Sequence, residues 1–215
     1  MKQFIVVGLG RFGSSVARTL AENDYNVLAI DLDEERVQII ANEVTHAVEA
    51  DATDEEALKT LGVGNFDVAI VSIGDNIHAN ILSTLILKEL GVNYVVVKAQ
   101  DNLHGKVLSK VGADRVVYPE RDMGVRIAHN LISSNVLDYI EFAPDYSIVE
   151  IITTSNMVGK TLAELELRGK FGVNVMAIKR GKNLNITPGA NDKLLEGDVL
   201  IVMGKNDDLD KLKHF

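Results

Sequence analysis

Gly8, Gly10 and Gly13 stand in the spacing G-x-G-x-x-G within VVGLGRFGSS, residues 6 to 15, directly after a short apolar run and at the mouth of a helical pattern. Glycine at the first position permits a tight turn, at the second lets a diphosphate approach the backbone, and at the third lets helix and strand pack closely. The following helix offers free N–H groups and the positive end of its dipole to phosphates. Asp31 closes the next apolar run, 18 residues after Gly13, with Leu32 beside it. A carboxylate there accepts from ribose hydroxyls and disfavours a 2′-phosphate. Asp51, Ala52 and Thr53 follow a third run, where Asp51 would face an adenine; Asp51, Thr53 or Asp54 would equally cap the next helix. Ser72, Ile73 and Gly74 end a fourth run and can line a crevice, or Gly74 simply stops the strand. Lys98 ends a fifth, its ammonium either near the phosphates or solvated.

Arg11, between the second and third glycines and followed by Phe12, needs its own explanation. Backbone N–H groups suffice for a dinucleotide, and a cation on a helix's first turn opposes the dipole. An anionic partner with more charge than a dinucleotide resolves that conflict.

These residues need a scaffold, and the pattern supplies one. QFIVVG, NVLAID, THAVEAD, FDVAIVSIG, YVVVKAQ and DRVVYP read as six strands, apolar through most of their length, as in a sheet covered on both faces. Amphipathic segments between them start after Asp or Asn and stop at Gly or Asn, the expected caps. The alternation predicts an α/β fold with a Rossmann-like, doubly wound parallel sheet. From Glu120 the pattern changes: ERDMGVRIAHNLISSNVLDYIEF reads as one long helix, about 120 to 136, with no strand directly after it. Its Met123, Ile127, Leu131 and Ile132 form an apolar stripe. After a turn at APDYS come SIVEIITT, NVMAIKR, LNIT and DVLIVMG as short strands, one hairpin at RGKN, and helices at TLAELELRG and NDDLDKL. The expectation is a first domain of 1–143 and a small α+β domain of 144–215.

Composition narrows the function. There are no cysteines among 215 residues, which excludes disulfides, thiolate–zinc sites and cysteine nucleophiles. Residues 1–143 carry 12 Lys+Arg against 21 Asp+Glu, and 144–215 carry 10 against 10. An acidic front half repels phosphate backbones, so no nucleic-acid partner is expected. No signal-peptide pattern opens the chain and no apolar run reaches the ~20 residues of a membrane span, so a cytoplasmic protein is expected.

The segments VVGLGRFGSS, AIDLDEE, THAVEADATDE, FDVAIVSIGDNIHANILSTLILKELG, VVVKAQ, KVLSKVGADRVVYPERDMGVRIAHNLISSNVLDYIE and VMAIKRG closely resemble the KtrA/KtrC (TrkA-like) cytosolic subunits of bacterial potassium transporters, over essentially the whole chain. The resemblance implies an N-terminal RCK (KTN) domain and a smaller RCK-C domain. It implies an eight-membered homo-oligomeric ring docked, peripheral to the inner face of the cell membrane, on a KtrB/KtrD-like K⁺-translocating dimer. ATP would activate and ADP inactivate, with NAD(H) able to enter the same crevice and no catalytic role. Arg11 would reach the γ-phosphate of ATP bound in the neighbouring subunit. Glu120, in YPERD, would help coordinate Mg²⁺, Ca²⁺ or Na⁺ beside the γ-phosphates. The family often has histidine before that proline, whereas this chain has Tyr118. The long helix would serve as crossover and dimer element.

In the second domain, basic residues beside apolar ones in NVMAIKRGKNLNITPG suit an aromatic, doubly phosphorylated ligand. The resemblance implies cyclic di-AMP, with Ile178, Arg180, Ile186 and Pro188 as its residues; a solvated hairpin tip over core isoleucines is the alternative. Two rival functions remain: an NAD-dependent oxidoreductase, for which no acid/base group stands out, and a free-standing nucleotide sensor. The five histidines, His46, His78, His104, His129 and His214, match no metal-ligand spacing.

Overall fold

In the computed structural model, which describes residues 2–132, 135–213 and 215, six strands alternate with helices over the first half of the chain. They are β1 (Gln3–Val7), α1 (Arg11–Glu22), β2 (Asn26–Asp31), α2 (Glu34–Ile40), β3 (His46–Glu49), α3 (Glu55–Thr60), β4 (Val68–Val71), α4 (Ile77–Glu89), β5 (Tyr94–Lys98), α5 (Asn102–Val111) and β6 (Arg115–Val117). The strands are parallel, in the order β3-β2-β1-β4-β5-β6. Successive side chains take opposite faces. Ile5, Val7, Leu28 and Ile30 pack with Leu58, Leu87 and Leu108 on one side, while Val6, Val27 and Ala29 pack with Ala17, Val37 and Ile40 on the other. Burial on both faces explains why these strands read as continuous apolar runs.

The helices begin where the sequence places short polar residues. Asp33 accepts from the Glu35 and Arg36 N–H groups, Asp54 from Glu56 and Ala57, Asn76 from Ala79, and Asp101 from His104. Helix α1 is the exception: its N-cap is Gly10, no side chain caps it, and its first turn holds no acidic residue. Strand order reverses between β1 and β4, so the crevice at their C-terminal ends is where such sheets take ligands.

The remainder comprises α6 (Pro119–Ile132), β7 (Val136–Ala143), β8 (Tyr146–Ile152), α7 (Leu162–Leu165), α8 (Leu167–Phe171), β9 (Asn174–Arg180), β10 (Asn183–Asn185), β11 (Val199–Lys205) and α9 (Asn206–Lys213). The strands form an antiparallel sheet in the order β10-β9-β11-β8-β7, with Val149, Ile151, Leu200, Val202, Met157, Leu165 and Leu209 in its core. The expected hairpin forms at Arg180–Asn183, with Gly181 at φ 58°.

Two expectations are corrected. The helix from Glu120 ends at Ile132, and Val136–Ala143 is a strand, pairing antiparallel with β8 across the turn at Pro144–Asp145. Residues 133–134, which the expected helix would have crossed, lie outside the described residues, as does His214. VLDYIEF is rich in β-branched and aromatic residues, and cross-strand pairing with β8 outweighs its helical appearance. TLAELELRG, read as one helix, is two short ones divided at Glu166, which takes φ 49°. The compact units are Met1–Pro119 and Glu120–Phe215, whereas the sequence places the boundary at 143/144. The reason is that α6 is tied to β7: Arg126 and Asp138 form a two-pronged ion pair, and the His129 ring stacks on Tyr139 at 4.2 Å.

Asp198 anchors the second unit. Its buried carboxylate accepts from Arg180 Nε at 2.8 Å, from Arg180 Nη2 at 2.7 Å and from the Leu195 N–H at 2.8 Å. Asp198→Ala orphans that N–H, a loss of about 1–3 kcal/mol in urea unfolding at pH 7. The Arg180 guanidinium holds the Asp198 carboxyl below the usual carboxylate range, against the opposing effect of burial. Its contribution is complete above about pH 4 and disappears as pH falls through the lower folded-state value, so the wild-type advantage over Asp198→Ala shrinks in strong acid.

Candidate functional site

The glycine loop joins β1 to α1. Gly8 takes φ 89°, and its N–H donates to Ile30 O at 2.8 Å. A Cβ on Gly13 would lie 1.9 Å from Gly8 O and 2.3 Å from Ser72 Oγ, so only glycine fits. A Cβ on Gly10 meets no heavy atom within 4 Å, which is open space at the helix mouth. Ser72 fastens the loop to β4: its N–H donates to Val7 O at 2.7 Å and its hydroxyl donates to Gly8 O. Ser14 Oγ closes the far side on Leu9 O at 2.8 Å. The first-turn N–H groups of α1 therefore point outward with no acidic side chain of that turn to offset the dipole. Arg11 is the first helical residue and is exposed; Phe12 packs against the α1-side core.

Asp31 is nearly buried. Oδ2 accepts from the Leu9 N–H at 2.5 Å and Oδ1 from the Asp33 N–H at 2.9 Å, with Arg36 Nη1 3.7 Å away. It thus braces the glycine loop, and each oxygen retains a lone pair for a hydroxyl donor. Leu32 beside it is 64% exposed, an apolar surface at the crevice edge. The choice between cap and ligand contact at Asp51 is decided in part: Asp54 caps α3, while Asp51 Oδ1 accepts from the Thr53 N–H at 2.8 Å and its hydroxyl at 2.7 Å. Ala52 is buried in the core beneath.

At the opposite edge, a Cβ on Gly74 would lie 3.6 Å from Lys98 Nζ, so the lysine's charge sits over the end of β4. Two residues that the sequence analysis leaves unremarked meet here. Asn80, fully buried on α4, donates through Nδ2 to Ile73 O at 2.8 Å and Lys98 O at 3.2 Å. Gln100 donates its side-chain N–H to Gly74 O. Behind them His104 Nδ1 accepts from the Gln100 N–H at 3.3 Å; burial pushes its pKa down, against the Asp101 charge. Tyr94 and Lys98 have the Tyr-x-x-x-Lys spacing that places both groups together on a helix, but on strand β5 four residues span about 13 Å. They form no acid–base pair.

In the second unit, Glu120 stands in the first turn of α6, where its charge suits the helix dipole. Among the described residues no three His, Asp or Glu side chains group as a metal site. The stripe of α6 is exposed: Met123 and Ile127 by 50%, Leu131 by 81%, Ile132 by 79%. Ile178 and Arg180 line a pocket of about 370 Å³ with Asn183, Asn185, Asp192, Lys193 and Leu195. Ile186 and Pro188 are not among its lining residues; Ile186 is 70% exposed on the following loop.

A parallel sheet with a glycine loop at its switch point, followed by a small antiparallel unit, defines a two-part α/β protein whose first unit has the Rossmann-type fold. The TrkA-N domain model matches residues 4–119 and the TrkA-C domain model residues 146–215. The chain is 51% identical over 212 residues to Ktr system potassium uptake protein C of Bacillus subtilis (strain 168), covering 99% of this chain and 96% of that relative. It is 45% identical over 213 residues to Ktr system potassium uptake protein A of the same organism, with the same coverage. A GsuK channel solved with NAD bound shares the fold at a TM-score of 0.69 and 18% identity, over 99% of this chain and 39% of that one; this chain spans about two fifths of that polypeptide. The chain belongs to the TrkA-N/TrkA-C family of potassium uptake proteins, of the Ktr type. No helix among the described residues is long and apolar enough to cross a membrane.

The second and third glycines separate access from packing. Gly13→Ala should destabilise the first unit by about 1–3 kcal/mol in chemical unfolding, because the methyl meets backbone at one side and the Ser72 hydroxyl at the other. Gly10→Ala, with free space around the added methyl, should unfold within about 1 kcal/mol of wild type, the ordinary cost or gain of exchanging a glycine.

Proposed function

We propose that this chain is the nucleotide-sensing gating subunit of a bacterial potassium uptake system, which binds ATP or ADP at the glycine loop and biases a K⁺-translocating membrane partner. The single observation carrying this reading is the open N-terminus of α1 with Arg11 on its first residue, in a chain 51% identical to a Ktr potassium uptake protein. A helix mouth without acidic neighbours favours phosphate, and an added cation favours the nucleotide with the greater charge. Gly8, Gly10 and Gly13 admit the phosphates, Asp31 meets the ribose, Leu32 and Asp51–Thr53 flank the base, and Ser72–Gly74 with Lys98 form the opposite wall. The NAD-bound GsuK structure supports a crevice of this type accepting a dinucleotide, so NAD(H) is a competing ligand.

In this reading Arg11 meets the γ-phosphate of nucleotide held by a neighbouring copy, and an eight-copy ring carries the difference between ATP and ADP to the membrane partner at the cytoplasmic face. A ligand shifts such an assembly only by its differential affinity for the two arrangements, and the third phosphate supplies it. Binding, rather than bond-making, is the activity. Glu120 is the protein's contribution to a hard cation, Mg²⁺, Ca²⁺ or Na⁺; with no grouped acidic ligand set among the described residues, oxygens from the phosphates would complete the coordination. The exposed α6 stripe suits a dimer element. In the second unit, the Ile178–Arg180 pocket is the place for an inhibitory cyclic di-AMP, with Arg180 pre-aimed by Asp198.

Arg11→Ala should weaken ATP at least tenfold, the worth of one charge-assisted hydrogen bond at about 1.4 kcal/mol, while ADP changes little. Isothermal titration with both nucleotides checks this, and equal losses would refute the γ-phosphate role. Arg180→Ala should abolish cyclic di-AMP binding and, measured without that ligand, leave ATP affinity within about twofold, since Arg180 bonds Asp198 and Lys193 and shares no partner with the glycine loop; retained cyclic di-AMP binding would move the second site elsewhere.

A further inference from the structure

Strands β4 and β5 pair with each other up to Val71 and Val97. Beyond that point the two segments, Ser72–Gly74 and Lys98–Gln100, are tied to each other by side chains, while each keeps a backbone bond to its outer neighbour, the Ser72 N–H to Val7 O at 2.7 Å and the Ala99 N–H to Val117 O at 2.9 Å. Asn80 reaches up from the first turns of α4, and its one amide nitrogen donates to Ile73 O at 2.8 Å and Lys98 O at 3.2 Å. Only a carboxamide of this length brings two protons to two carbonyls at once: aspartate has none to give, serine one, leucine none. Gln100 makes a parallel tie to Gly74 O. Ser72 then fastens the same segment to Gly8 O. Lys98, whose Nζ lies 3.6 Å from a Cβ built on Gly74, is in this way registered to the phosphate loop through a short series of hydrogen bonds.

We propose that Asn80 is a positioning residue of the nucleotide crevice, setting where the Lys98 charge stands relative to the phosphate loop and thereby how steeply affinity rises with each phosphate. The proposal rests on the nucleotide reading above. Coulomb attraction falls with distance. Loosening the two strand ends therefore costs a ligand with three phosphates more than one with a single phosphate. A side chain that merely filled the core would lower all three alike.

The test is calorimetric titration of the full chain with ATP, ADP and AMP, for wild type, Asn80→Ser, Lys98→Ala and the double variant. Asn80→Ser should lose about tenfold for ATP, less for ADP and least for AMP, and should cost less than about twofold in the Lys98→Ala background. Equal losses for the three nucleotides, or full additivity with Lys98→Ala, overturn the proposal. Should Asn80→Ser fail to fold by circular dichroism, Gln100→Ala, an exposed site, carries the same comparison, and a flat profile there overturns it equally. A wild-type chain that binds none of the three overturns the nucleotide reading, and this proposal with it. Wild-type binding with flat variant profiles overturns the positioning role alone.

Discussion

The approach of α1 to β1 and β4 at Gly13 governs the first unit, because three requirements meet within a few ångströms. The helix must start close enough to the strand ends for its N–H groups to face the crevice. The Gly8 carbonyl must turn inward to take the Ser72 hydroxyl. Ser72 must itself stay in the ladder through its own N–H to Val7. A side chain at Gly13 breaks all three together, since it would stand 1.9 Å from that carbonyl. Asp31 completes the brace from the other strand by accepting the Leu9 N–H. The loop is thus pre-formed by bonds between its backbone and the Ser72, Ser14 and Asp31 side chains, none of which uses the Arg11 side chain.

That division of labour explains the charge distribution. Helices α2 and α3 carry glutamates in their first turns, where acid stabilises the dipole, and aspartate caps besides. Helix α1 has neither, and places an arginine there instead. The local stability surrendered at this one helix is the electrostatic condition for binding an anion. Residues 1–119 carry 17 Asp+Glu against 10 Lys+Arg, and none of these acids stands in the first turn of α1.

The parallel sheet was legible in the sequence because fully buried strands advertise themselves as apolar runs and the helices between them carry their own caps. The glycine loop was legible because its fit is set by short-range geometry, whereas the hydrogen bond from the Leu9 N–H to Asp31, 22 residues on, was not read. Nor was Asn80. A polar residue in a helical segment reads as surface, and its burial depends on two strand ends 7 and 18 residues away. The strand at Val136–Ala143 was missed because its pairing with β8 depends on a partner across a hairpin, and a run containing Leu137, Ile140 and Phe142 fits a helical face as readily as a strand. Arg180 was legible as a cation but not as the partner of Asp198, whose burial only the folded sheet reveals.

Helix α6 completes the contrast between the two kinds of attachment in this chain. No residue of α6 is fully buried, and its ties to β7 include a half-exposed ion pair, Arg126 with Asp138, whose carboxylate also accepts from the Asn130 side chain, and the His129–Tyr139 stack. Tyr139 is itself fixed by donating its hydroxyl to Ser147 Oγ at 2.8 Å, and Ser147 in turn donates to Asn206 Oδ1 at 2.7 Å, so the sheet side of the contact is rigid. Exposed ion pairs contribute little net stability, and an aromatic pair adds on the order of 1 kcal/mol. With Met123, Ile127, Leu131 and Ile132 exposed, the apolar stripe of this helix is buried only by meeting another surface. Helix α1, by contrast, is pinned against backbone at Gly13. On the nucleotide reading proposed above, the ligand would meet the closely packed helix α1, and α6 would be the element with apolar surface still to cover.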